Sequence, residues 1–247
     1  MMANEKPGGH GERCVAVGTL DMALWDASAK IAGVPLYRHL ADRLGENEMT
    51  WPQVAVYAGG GYYYPTDDVG RLSDEIRSLK DLGYQRVKIK IGGAPLLQDL
   101  KRIEAAARVL PDASHLAVDA IYSYTPTSSI EAADALAPLG LWWFEDICDP
   151  LDFETLGAVA ARYAGPIAAG EALFSAVEAK LLDRYAGLRC DRDILLFDPV
   201  TAMGFPATWR LLKCSKGAAG RGLHFGRTAG ISSVCTSQRP SASGAPR

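Results

Sequence analysis

Six residues in this sequence have the types and spacing to do chemistry together. Lys88 and Lys90 stand two apart in "RVKIKIGG", and Asp119, Glu145, Glu171 and Asp198 follow at steps of 29, 26, 26 and 27 residues. Alternate side chains of a strand share a face, so both ammonium groups point one way while Val87, Ile89 and Ile91 point the other. Each residue alone has an ordinary role. A K-x-K strand is commonly a solvated face. Asp119 and Asp198 suit caps or turns, Glu145 pairs with any lysine, and Glu171 after "AAG" caps a helix. The even spacing argues for more. Carboxylates on adjacent strand ends converge and repel, and a divalent cation relieves the repulsion. Oxygen-only ligands select a hard ion such as Mg²⁺. Two lysines in the same cavity repel as well. That repulsion, with desolvation, should lower the pKa of one of them and make a neutral amine available as a base. The lysine face then looks inward, toward an anionic substrate held on a metal.

The elements that must position these residues are legible. Residues 17–40 read as helix, with Leu20, Leu24, Ala27 and Ile31 at helical spacing and a stop at Gly33 and Pro35. A strand at 53–58 leads into the loop "GGGYYYPT", and a helix covers 68–82. The KIK strand is followed by a helix at 96–109. "HLAVDA", "LWWFED", "PIAAGE" and "DILLFDP" are then strands, followed by helices near 128–138, 152–163 and 175–185 and by the helix-like "FPATWRLLK". Continuous apolar strands alternating with amphipathic helices make parallel βα units. One acid at the end of each successive strand is the arrangement of a (βα) barrel. A doubly wound sheet gathers its ligands at a single crevice. The expected fold is α/β, a partial (βα)8 TIM-type barrel of about six βα units.

Bulk properties exclude several classes. The chain has 247 residues, 48% of them apolar, and a net charge of −3, which leaves no basic surface for nucleic acid or acidic lipid. No apolar run reaches the ~18–20 residues of a membrane span. The start, "MMANEKPGGHGER", lacks the apolar segment of a signal peptide. The five cysteines are scattered and read as reduced thiols, so a cytoplasmic location is expected.

Lys88-x-Lys90, Asp119, Glu145 and Glu171 at these spacings resemble the enolase superfamily, in its mandelate racemase/muconate lactonizing branch. "TLDMALWDASAKIAGVPLYRHL" is similar to the helix that leads into the barrel there. "YAGGGYYYP", "KIKIGGAP", "DPLDFETLG", "GEALFS" and "CDRDILLFD" look most like D-tartrate dehydratase and related acid-sugar dehydratases. The resemblance covers about residues 15–213. It implies that Asp119, Glu145 and Glu171 bind Mg²⁺, which chelates the carboxylate of a small acid-sugar substrate. It implies that Lys90 removes the α-proton and that Lys88 stabilises carboxylate charge and tunes Lys90. Loss of a β-hydroxyl as water then gives a 2-keto acid, oxaloacetate from tartrate. Tyr62, Tyr63 and Tyr64 would lie in the loop after the first strand and line the substrate pocket. The intact family member is expected to be a homo-oligomer.

Residues 1–50 then read as a remnant of the capping region ending in a helix, 51–213 as an incomplete catalytic barrel, and 214–247 as a Gly/Ser/Arg-rich disordered tail. Three departures from the family pattern stand out. Ile121 occupies the place, two residues after the first ligand, where the family has Asn. Most of the capping region is missing. The histidine expected on the strand after Asp198, the general acid that the aspartate would orient, has no counterpart in His10, His39, His115 or His224. A frame displaced by two bases over residues 225–232 permits Trp-Pro-His-Gly-Gly-His-Leu, so the tail also reads as an out-of-frame seventh unit. The alternatives to a dehydratase are an inactive barrel that binds metal without turnover and a racemase or epimerase of the same superfamily.

Overall fold

The structure is a computed structural model that describes residues 11–44 and 56–210. Two helices come first, α1 (Gly11–Ile31) and α2 (Leu36–Leu44), separated at the expected Gly33–Pro35 break. Six βα units follow. The strands are β1 (Ala58–Gly60), β2 (Val87–Lys90), β3 (Leu116–Asp119), β4 (Trp143–Glu145), β5 (Ile167–Ala169) and β6 (Ile194–Leu195). Between them run α3 (Asp68–Asp81), α4 (Leu96–Val109), α5 (Pro126–Leu136), α6 (Phe153–Arg162) and α7 (Ala176–Tyr185), and residues 205–210 are helical after β6.

The strands form one parallel sheet in the order β1 to β6, each paired with the next in sequence. A doubly wound sheet reverses its order at a switch point, and this one does not, so the six units are a partial TIM-type barrel. The pleat divides the core as the sequence pattern requires. Val87, Ile89, Leu116, Val118, Phe144 and Ile167 pack outward against the helices. Ala117, Trp143, Ala168, Ile194 and Leu196 form a second cluster on the inner face. Sharp helix starts fix the loops above the sheet. Thr125 and Ser128 make a reciprocal cap on α5, Ser175 and Glu178 do so on α7, and Asp152 accepts from the Thr155 amide on α6.

Two local readings change. Of the strand expected at 53–58, residues 53–55 lie outside the described residues, and β1 is formed by Ala58 and the first two glycines of the expected loop. Gly60 leaves room for the Glu75 carboxylate of α3, which a Cβ there would meet at 2.4 Å, while Gly59 faces open space. The apolar stripe of α1 is not its packed face. Leu20, Leu24 and Ile31 are 49%, 69% and 89% exposed, and Cys14, Gly18 and Ala29 are buried instead. Gly18 lies against the Val200 carbonyl, where any Cβ would clash at 2.1 Å, and Asp21 accepts from the Phe205 amide. Small residues give the closer approach to the turn after β6, and that approach sets the helix's rotation. The expected tail at 214–247 lies outside the described residues, as do residues 1–10 and 45–50 of the expected capping remnant at 1–50.

Candidate metal and acid-base site

Strand register builds the site. Lys90 is paired with Asp119 across β2 and β3, and Asp119 with Glu145 across β3 and β4. All three are the last residues of their strands, so they share the inner face at the carboxyl end. Lys88 lies one step below Lys90. Its Nζ donates to Glu145 Oε1 at 2.5 Å and lies 3.3 Å from Asp119 Oδ2, and Lys90 Nζ donates to the same Asp119 oxygen at 2.5 Å. The Trp143 indole donates to the other Glu145 oxygen at 2.6 Å. The floor is aromatic. The Tyr57 ring stands edge-on to Trp143, 5.2 Å between centroids, with Lys88 Nζ 5.9 Å above it. Tyr57 was legible only as a strand residue, and its inward position depends on the pairing of β1.

At Lys88 the electrostatics run opposite to the lowering expected of one of the two lysines. Burial alone would lower the Lys88 pKa. The charges of Glu145, Tyr57 and Asp119, with the hydrogen bond to Glu145, outweigh burial, and the net shift is upward. Lys88 is therefore held charged by the carboxylates beside it.

The remaining sequence-derived residues divide. Tyr62 stays at the mouth, 65% exposed, with Lys90 Nζ 5.8 Å from its ring centroid. Tyr63 and Tyr64 are not brought to the carboxylates. The Tyr63 hydroxyl donates to Asp99 at 2.6 Å, and the Tyr64 hydroxyl donates to Glu75 at 3.1 Å. Glu171 follows Gly170 (φ 117°) beyond β5 and is half-buried. Its charge reaches Tyr57, Tyr122 and Asp146 and raises their pKa values, though burial contributes more. Asp198 accepts from the Val200 amide at 2.7 Å and shapes the turn after β6, the cap role its sequence allowed. Of the described histidines, His39 bonds Ser28 on the lead-in helices and His115 bonds Asp112 ahead of β3. Neither meets Asp198.

An acid that sequence reasoning passed over joins the cluster. Among the described residues, Asp119, Glu145 and Asp146 are the group whose side-chain oxygens could hold one metal ion, lying within 4.8 Å of one another. The three are 2%, 0% and 6% exposed. Strained backbone surrounds them, since Ile121 (φ 47°), Tyr122 (φ 58°) and Asp146 (φ 48°) are all left-handed. A β-branched residue there is a true outlier, while Asn adopts that conformation readily. Ile121 is half exposed and has little packing to lose. Ile121→Asn is therefore expected to stabilise the protein by about 1 kcal/mol. Urea unfolding would show it, and an unchanged or lower midpoint would contradict the assignment of strain.

A parallel barrel segment with carboxylates and lysines at its strand ends defines a class of α/β proteins that work at the carboxyl face of the sheet. The family model described as "Enolase C-terminal domain-like" matches residues 71–208, and the chain belongs to that family. It is 30% identical over 168 residues to the arabinonate dehydratase of Saccharolobus solfataricus, covering 68% of this chain and 43% of that protein. The crystal structure of L-talarate dehydratase from Polaromonas sp. JS666, complexed with Mg and L-glucarate, superposes with a TM-score of 0.67 at 27% identity, over 83% of this chain and 54% of that one. A racemase from Streptomyces coelicolor with bound magnesium gives 0.73 at 26%, over 87% and 60%. The chain spans less than half the length of the curated relatives it matches. No described helix is long and apolar enough to cross a membrane.

Proposed function

We propose that this chain carries the metal and base half of a Mg²⁺-dependent acid-sugar dehydratase, with D-tartrate as the substrate its segments favour. The observation that carries the reading is the register that sets Lys90, Asp119 and Glu145 side by side, with Lys88 beneath. Asp119, Glu145 and Glu171 would hold the ion. When bound, it would supply positive charge for the substrate carboxylate and for the enediolate that follows proton loss. Lys90 is the base that takes the α-proton. Its amine is now the donor to Asp119, and it must be neutral to act. Lys88, held charged, offsets carboxylate charge in a buried site. Tyr62 at the mouth offers a hydroxyl and a ring to a polyhydroxy acid. Asp198 would orient a general acid that the described residues do not include. The β-hydroxyl, protonated by that acid, would then leave as water, and the enol so formed would tautomerise to a 2-keto acid. In this reading the protein works on small molecules, in the cytoplasm and as a homo-oligomer.

The turn-forming role of Asp198, with no histidine beside it among the described residues, favours a second reading, a barrel that binds metal without turnover. A Mg²⁺-dependent assay for 2-keto acids over a panel of acid sugars separates them. Keto acid formed only with Mg²⁺ supports the dehydratase. Mg²⁺ uptake without product supports the second reading, and no uptake removes both. Glu145→Gln or Glu171→Gln is expected to weaken Mg²⁺ binding at least tenfold by calorimetry. Unchanged affinity in both variants would sink the ligand assignment.

A further inference from the structure

We propose that Asp146 is a metal-contacting carboxylate, joining Asp119 and Glu145 around a hard divalent cation; this rests on the metal-binding part of the function proposed above. The backbone is the first argument. Along β4, Phe144 packs outward and Glu145 points inward. A strand continued by one residue would send Asp146 outward again. The left-handed φ of 48° breaks the alternation and puts consecutive acids into one cluster. Tyr122 N donates to the Asp146 carbonyl at 2.6 Å, and Asp146 N donates to the Ala168 carbonyl at 3.2 Å, so the irregular residue is pinned on both sides.

The second argument is the state of the carboxylate. Asp146 is 6% exposed, and its Oδ1 has no hydrogen-bond partner. The Tyr122 hydroxyl donates to the carboxylate. Lys88 pairs with Glu145 and Asp119, and Lys90 pairs with Asp119. Among the described residues no cation pairs with Asp146. A buried carboxylate beside two others, with an oxygen left over, is a poor structural element and a good ligand. Glu171, by contrast, does not share the group of oxygens within 4.8 Å. The simplest alternative is that Asp146 merely anchors Tyr122.

The two roles predict opposite signs for Asp146→Asn. An amide keeps the Tyr122 bond and accepts a left-handed backbone, and it removes repulsion from Glu145 and Asp119. For a ligand, the metal-free variant should therefore melt at the same temperature as the wild type or higher. Its Mg²⁺ dissociation constant should rise at least tenfold in calorimetry on the full chain. Tyr122→Phe should weaken Mg²⁺ less than threefold. An Asn variant that binds Mg²⁺ within twofold of wild type overturns the inference. So does one that melts lower or fails to fold, or a Tyr122→Phe variant that loses as much affinity as Asp146→Asn. If Glu145→Gln weakens binding and Asp146→Asn does not, this inference alone fails. If the wild type takes up no Mg²⁺, the metal-binding reading fails with it.

Discussion

Lys88→Met is expected to destabilise the metal-free protein by about 3–5 kcal/mol, because it leaves buried carboxylates without their counter-charge. The Lys88 side chain is 8% exposed, and those of its partners Glu145 and Asp119 are 0% and 3% exposed. Methionine keeps most of the volume, so the loss is one of charge and not of packing. Lys90 does not substitute for Lys88, since the carboxylate it pairs with is Asp119 and not Glu145. If the carboxylates are metal ligands, the variant should bind Mg²⁺ more tightly than the wild type, a competing cation having been removed. At about 100 times the dissociation constant, a ligand adds roughly 2.7 kcal/mol to the stability of the state it binds. The wild type gains as well, so saturating Mg²⁺ should narrow the gap in urea unfolding by the difference in affinity, about 1.4 kcal/mol for each tenfold tighter binding by the variant. A variant as stable as wild type without metal would show that the ion pairs contribute nothing net. A gap that Mg²⁺ leaves unchanged would place the cation elsewhere.

The parts of this site that follow a period were legible in the sequence. The helix at 96–109 is α4 to the residue, and of the evenly spaced acids Asp119 and Glu145 end β3 and β4, while Glu171 and Asp198 lie past the ends of β5 and β6. Lys90, Asp119 and Glu145 converge because the pleat and a parallel register fix their direction. The residues that escaped lie where the period fails. Asp146 follows an inward residue and should point outward, and only its left-handed backbone turns it in. The adjacent acids at 145 and 146 were the available signal. The α1 stripe misled for a related reason. Periodicity shows which face is apolar, while the close approach of Gly18 to Val200 decides which face packs among the described residues. Three consecutive tyrosines could not be divided from sequence either, because their directions depend on buried partners at Glu75 and Asp99. The pKa direction at Lys88 depended on distances to carboxylates that spacing alone does not supply.

Those buried partners lead to the second large effect. Arg102 is fully buried on α4, where it bonds Asp68, donates to the Gly61 carbonyl at 2.6 Å and stacks 4.0 Å from the Tyr63 ring centroid. Asp99, one turn earlier, accepts from the Tyr63 hydroxyl at 2.6 Å and from the Gly92 amide at 2.7 Å. The Gly61 carbonyl also receives the Lys90 amide at 3.3 Å. The network therefore ties the loop after β1 to the turn after β2, on either side of the proposed base. Arg102→Met should cost about 3–5 kcal/mol, since Asp68 and Asp99 keep their burial and lose their cation. Here Mg²⁺ should recover no more stability than it adds to the wild type, because these acids belong to the α3–α4 side and not to the carboxylate cluster. Urea unfolding of Lys88→Met and Arg102→Met, each with and without Mg²⁺, makes the comparison. A metal-dependent recovery confined to Lys88→Met places the ion at Asp119 and Glu145. Equal recovery in both would mean that Mg²⁺ stabilises the fold without replacing the Lys88 charge.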